Sequence, residues 1–175
     1  EKYQGRKTPG FYADCNKLQQ GEPLAYIIGH TPFCQTTIQL DSRPLIPRVE
    51  TEYWTDCLIK KIRADGNKQE YRILDLCAGS GCIGVAMGYG LPNSHLTFLE
   101  INDNHIDTIA ANCQHNHLPN HRYDIYAGDL FQPLPNMTFD YIVTNPPYID
   151  PAIDRTTEAV RGFEPHEALY GGPHG

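Results

Sequence analysis

From residue 71 onward, short apolar runs alternate with segments of helical spacing. Arg72-Ile73-Leu74-Asp75-Leu76 is one such run, and it meets a Gly-rich turn, Ala78-Gly79-Ser80-Gly81. Ile83, Val85, Ala86 and Met87 then predict a tightly packed helix. His95 to Leu99 predicts a second strand closed by Glu100, and Ile106 to Asn112 a helix with Ile106, Ile109 and Ala110 inward. Tyr123 to Tyr126 reads as a third strand ending at Gly128-Asp129, and Tyr141 to Thr144 as a fourth running into Asn145. Strands that alternate with helices about every 25 residues predict a parallel sheet with right-handed crossovers.

The first part of the chain has a different rhythm. Residues 1–30 are polar and weakly helical. Residues 31–47 look extended, with Phe33, Ile38 and Leu40 apolar and Pro44 and Pro47 breaking any helix. Thr51 is placed to cap a helix whose inward face holds Trp54, Leu58, Ile59 and Ile62, and Asp65-Gly66-Asn67 ends it.

Composition narrows the picture. The chain has 175 residues, enough to bury a core as one domain with a small appendage. Its formal charge of −7 makes it a poor generic partner for nucleic acid, which rewards dense Lys and Arg. Six scattered cysteines without a CxxC pair read as buried free thiols in a reducing compartment. No apolar run is long enough for a membrane span, and no secretory signal is visible.

Ligands of parallel sheets bind at the carboxyl ends of the strands. The Gly-rich turn, Glu100, Asp129 and Asn145 all fall at those ends. Gly79-x-Gly81-x-x-Gly84 matches a nucleotide-binding fingerprint, which alone also fits a turn that only permits close packing. Glu100 lies 19 residues beyond Gly81, where a carboxylate accepts from both hydroxyls of a ribose. A nucleoside cofactor is expected. The Asp75 carboxylate would repel a pyrophosphate and suits a cationic ligand, which favours S-adenosylmethionine over a nicotinamide dinucleotide. Asp129 could accept from the adenine amino group and Leu130 pack on the ring; a turn aspartate and a core leucine are the plainer roles for the pair.

Asn145-Pro146-Pro147-Tyr148 carries the chemistry. An amide nitrogen is a weak nucleophile because its lone pair is delocalised. A site that accepts hydrogen bonds from both of its N–H groups polarises it and aims the lone pair at an electrophilic methyl. The Asn145 side-chain oxygen and the Pro146 carbonyl can be those acceptors. The prolines hold that carbonyl rigidly, and Tyr148 offers a flat face to a planar group. The motif is shared by enzymes that methylate base amino groups, so it does not by itself choose between glutamine and a base.

Further segments resemble the release factor glutamine methyltransferases. Gly21 to Gly29 is similar to that family's leading segment, and Leu45-Ile46-Pro47-Arg48-Val49-Glu50-Thr51-Glu52 to its linker motif. Asp75 to Gly81 is similar to its first cofactor motif, Asn145 to Tyr148 to its catalytic motif, and Val160-Arg161-Gly162-Phe163-Glu164-Pro165 followed by Ala168-Leu169 to its post-catalytic loop. The resemblance implies N5-methylation of the glutamine in the Gly-Gly-Gln loop of peptide-chain release factors, with S-adenosylmethionine as donor. It implies cofactor contacts from Asp75, Cys77, Ala78, Gly79, Ser80, Gly81, Glu100, Ile101, Asp129, Leu130 and Asn145, and glutamine contacts from Asn145 to Tyr148. Arg48 and Glu50 would lie near the pocket, or serve as an ion pair between segments.

The fold class implied is α/β, a Rossmann-like parallel sheet of the class I methyltransferase type. The division expected is the end of a small helical substrate-gripping region at 1–30, a linker hairpin and helix at 31–70, and the cofactor-binding domain at 71–175. Family members carry further strands, so the sheet is expected to be incomplete at its C-terminal side, with the Asn145 strand at an edge and weak activity for the isolated chain. A monomer acting on protein is expected, in the mitochondrial matrix rather than a bacterial cytoplasm. No metal is expected, although Cys113, His115, His117 and His121 cluster in sequence. The rival readings are a nucleic-acid adenine or guanine amino-methyltransferase, a cofactor-binding scaffold without activity, and, more distantly, a nicotinamide-dependent dehydrogenase.

Overall fold

Four parallel strands bring their carboxyl ends to one level, and that level carries the site. In the computed structural model, which describes residues 2–66 and 68–175, a four-stranded sheet has the order β5-β4-β3-β6. Its strands are β3 (Tyr71–Leu76), β4 (Ser94–Glu100), β5 (Tyr123–Ala127) and β6 (Tyr141–Thr144). Leu76 at the end of β3 pairs with Leu99 on one side and Thr144 on the other, and Glu100 pairs with Ala127. Cys77, Glu100, Gly128 and Asn145 therefore leave the sheet side by side. β6 lies at the sheet edge, with Ile142 half exposed.

The strands read as apolar runs because the central ones are covered on both faces. Ile73, Leu74, Leu96 and Phe98 are fully buried. Helix α4 (Cys82–Gly90) is buried almost all round against them. A Cβ on Gly84 would sit 2.2 Å from the Phe98 ring, so only glycine lets α4 lie this close to β4.

Ahead of the sheet stand α1 (Pro9–Gln19), α2 (Leu24–Ile28), the hairpin β1 (His30–Phe33) and β2 (Thr36–Gln39), and helix α3 (Val49–Asp65). Thr8 caps α1, accepting from the Phe11 N–H at 3.2 Å. Two expectations about α3 change. The helix starts at Val49 behind an extended Arg48, so Thr51 is a buried first-turn residue and not the cap. Its most buried positions are Thr51, Thr55, Ile59 and Ile62, with Trp54 and Leu58 half buried beside them. Gly66, in the left-handed conformation, closes it, while Asn67 lies outside the described residues.

Helix α5 (Ile106–His115) also turns a different face inward than its apolar spacing suggests. Thr108, Ile109, Asn112 and Cys113 are buried, while Ile106 and Ala110 are only partly so. The reason is the free edge of β2. Asn112 accepts from the Gln39 N–H at 2.7 Å and donates to its carbonyl at 3.1 Å. One turn on, Asn116 does the same for Thr37, at 3.0 and 2.9 Å. Residues four apart on a helix match residues two apart on a strand to within about 1 Å, so two asparagine amides act as the next strand. Asn112 also donates to the Ser80 carbonyl at 2.9 Å, which joins the hairpin to the Gly-rich turn.

Helices α6 (Glu158–Phe163) and α7 (His166–Leu169) follow β6. All six cysteines are free. Among the described residues, no helix is long and apolar enough to cross a membrane. Nor does any group of His, Cys, Asp and Glu among them have the makings of a metal site.

Candidate active site

A cavity of about 400 Å³ opens at the carboxyl ends of β3, β4 and β6. Its floor is the turn after β3. Cys77, Gly79 and Gly81 all have positive φ there, at 59°, 55° and 75°, which folds the backbone back on itself before α4 begins. The Glu100 carboxylate, 6% exposed, braces this turn: one oxygen accepts from the Gly79 N–H at 2.7 Å and the other from the Asn102 N–H at 2.9 Å. Each oxygen retains acceptor capacity, and the residue lines the cavity. Ile101 and Leu130 also line the cavity and are more than half exposed, leaving apolar surface for a flat ring.

The predicted site residues come together here, with three exceptions. Cys77, Ala78, Gly79, Ser80, Glu100, Ile101, Asp129, Leu130, Asn145, Pro146 and Pro147 line the cavity. Gly81 stands behind it as the N-cap of α4. Tyr148 lines a second cavity of about 310 Å³ together with Arg155, Thr156 and Val160. Asp75 does not reach the cavity. It is fully buried, with one oxygen accepting from the Gly84 N–H at 2.7 Å and the other without a partner. Burial pushes its carboxyl up to about 8, against the Gly84 hydrogen bond and helped by Glu100 nearby. The charge that favours a cationic ligand thus belongs to Glu100, Asp129 and Glu167, which outnumber Arg48 on the cavity wall.

Asn145 and Pro146 line both cavities and so mark where the two meet. Asn145 is half buried, and its amide has no partner among the described residues. The segment after it is held by a short ladder. The Ile149 N–H donates to the Leu169 carbonyl at 3.0 Å, and the Gly171 N–H to the Ile149 carbonyl at 3.1 Å. A Cβ on Gly171 would lie 2.6 Å from the Pro147 carbonyl oxygen, so the returning chain presses directly on the Pro-Pro backbone.

Arg48 reaches the wall between the cavities and pairs with Glu164, while Glu50 is exposed. Residues not foreseen on the wall include Thr51, His105, Glu167 and Ala168. Thr51 and Ala168 sit in or beside segments already singled out, whereas nothing in the sequence marked His105. The Cys77 thiol is raised, burial being the main cause, and burial pushes Cys82 up to about 12, so both stay neutral thiols.

The turn, the carboxylate 19 residues beyond Gly81 and the apolar rim sit at the strand ends of an α/β fold, where parallel sheets hold their ligands. The family model for the methyltransferase small domain matches residues 49–163, and the chain belongs to that family. Release factor glutamine methyltransferases are among its relatives. That of Rhodopirellula baltica is 35% identical over 159 residues, 89% of this chain and 53% of the relative. That of Thermodesulfovibrio yellowstonii is 34% identical over 155 residues, 88% of this chain and 54% of the relative. The chain thus spans about half the length of the curated relatives it matches. In solved structures the fold recurs in the human METTL16 catalytic domain bound to the MAT2A 3′UTR hairpin 6. The TM-score is 0.55 at 18% identity, over 79% of this chain and 52% of that one. The N-terminal domain of human METTL16 gives 0.52 at 17% identity, over 89% and 69%.

Proposed function

We propose that this chain transfers a methyl group from S-adenosylmethionine to the side-chain amide nitrogen N5 of the glutamine in the Gly-Gly-Gln loop of peptide-chain release factors. The observation that carries the reading is the position of Asn145 and Pro146 at the junction of two cavities, one walled by carboxylates and the other lined by Tyr148. The relatives named release factor glutamine methyltransferase support the choice of glutamine over a base.

The residues present fit the cofactor. Glu100 has acceptor capacity left for two ribose hydroxyls, Ile101 and Leu130 offer apolar surface to the adenine, and Asp129, on the same cavity wall, would accept from its amino group. Cys77 to Ser80 supply the tight backbone wall. When bound, the cofactor supplies a sulfonium-activated methyl. The chain's own work is positional. Asn145 Oδ1 and the Pro146 carbonyl accept the two amide N–H groups, which holds the nitrogen lone pair towards the methyl. Pro146 and Pro147 keep that carbonyl fixed, and Tyr148 stacks on the flat side-chain amide. As the nitrogen–carbon bond forms the sulfur–carbon bond breaks, and one amide proton then leaves to water.

In this reading residues 71–175 form the cofactor-binding catalytic part, 31–70 the linker, and 1–30 the end of a region that grips the substrate. The chain works as a monomer on protein substrates, in a compartment that translates, with the mitochondrial matrix favoured. Mass spectrometry of a release factor incubated with the protein and S-adenosylmethionine tests it. One added methyl on the Gly-Gly-Gln peptide is expected. Label that appears in RNA and not in the factor overturns the reading.

A further inference from the structure

His105 takes no part in the function described so far, yet it is buried to 4% exposure and lines the cofactor cavity. It sits in the short 3-10 turn just before α5, five residues beyond Glu100. Its Nδ1 lies 2.8 Å from Ser42 Oγ, and the Thr108 hydroxyl donates to the same Ser42 oxygen at 2.7 Å. A hydroxyl that accepts one hydrogen bond has one proton left to give. Nδ1 is the acceptor that Ser42 Oγ has within reach among the described residues, and the arrangement that uses its proton sends it to Nδ1. In that arrangement Nδ1 accepts and Nε2 carries the hydrogen of a neutral ring. Nε2 has no partner among the described residues.

We infer that His105 is a further cofactor-site residue, whose Nε2–H donates a hydrogen bond to a ribose hydroxyl oxygen of the bound nucleoside. The pairing with Glu100 is complementary. The carboxylate can only accept, so it takes the hydroxyl hydrogens, while the imidazole offers a donor to a hydroxyl oxygen. Ser42 and Thr108 act through His105 as positioning residues that set its tautomer. Burial, the main influence on this ring, lowers its pKa and favours the neutral form, while Glu100 and Glu167 oppose that. The inference rests on the reading of the cavity as the S-adenosylmethionine site.

Calorimetry with S-adenosylhomocysteine and its 2′-deoxy and 3′-deoxy analogues tests it, alongside NMR of the ¹⁵N-labelled histidine ring. His105→Ala is expected to weaken S-adenosylhomocysteine binding about 10-fold. The same substitution should cost nothing for the analogue that lacks the contacted hydroxyl. His105→Gln keeps a donor near the Nε2 position and should restore most of the affinity. In the free wild type the ring should be the Nε2–H tautomer, the Nε2 resonance should shift on ligand binding, and Ser42→Ala should give mixed tautomers. Equal affinity of wild type and His105→Ala, or an Nδ1–H tautomer, overturns the role of His105 and leaves the cofactor reading standing. A wild-type protein that binds no S-adenosylhomocysteine overturns the cofactor reading and this inference with it.

Discussion

Arg48 and Glu164 are 116 residues apart in sequence, and their side chains meet at 2.8 Å. Glu164 is the buried partner, and its second oxygen accepts from the Ile46 N–H at 3.1 Å. One carboxylate thereby fastens the Ile-Pro-Arg segment ahead of α3 to the loop that follows α6, along the wall where the two cavities meet. Glu164→Ala leaves a buried N–H and a half-buried guanidinium without their acceptor. It is expected to cost about 2–3 kcal/mol, with Glu164→Gln costing about half as much because the amide oxygen still accepts. Urea denaturation of the two variants checks both the size and the order.

Asp75 makes stability depend on pH in the direction opposite to most carboxylates. Its folded-state pKa is raised to about 8, while an unfolded chain gives about 3.9. The folded protein holds a proton in that window that the unfolded chain releases. The contribution is complete below about pH 4 and is lost as pH rises through about 8. Asp75→Asn removes it. The difference in melting temperature between wild type and Asp75→Asn should therefore shift against the wild type as pH rises. Parallel curves would show that the carboxyl is not perturbed.

Asn145→Ala removes one of the two acceptors proposed for the substrate amide. Methyl transfer to a release factor should fall by about 100-fold or more. S-Adenosylhomocysteine affinity should change only a few-fold, because Glu100 and the turn after β3 are untouched. Comparable losses in rate and in cofactor affinity would mean that Asn145 serves the cofactor alone.

Asn112→Ala strips a partner from both the N–H and the carbonyl of Gln39 and from the Ser80 carbonyl. A cost of about 2–3 kcal/mol is expected, and Asn116→Ala should cost less because it is only partly buried. Hydrogen exchange separates the two. The Gln39 amide should lose protection in the first variant and the Thr37 amide in the second.

The parts legible in the sequence were those whose cause is local. The four parallel strands show as apolar runs because both faces are covered, and Glu100 and Asn145 fall at strand ends by simple counting. Helix α3 is capped at Arg48, three residues ahead of Thr51, because Arg48 is held extended by Glu164, which no window around Thr51 contains. The inward face of α5 departs from its apolar spacing because that spacing cannot register Asn112, whose burial answers the needs of β2. The place of Asp75 beside the turn suggests a cavity carboxylate. Its side chain points instead to the Gly84 N–H, a choice set by how closely α4 approaches β4.

The asparagine pairing of α5 with β2 also limits itself, in the manner of a vernier. Four helical residues advance about 6.0 Å and two strand residues about 6.7 Å, so each rung falls slightly short of the last. Asn116 serves Thr37 and Asn112 serves Gln39, but the next helical position, Thr108, meets a chain that has already turned away. What it finds is the hydroxyl of Ser42, and through it His105. Where the rulers drift apart, backbone pairing hands over to a hydroxyl relay, and the same helix that secures the hairpin at one end orients a buried imidazole in the wall of the cavity at the other.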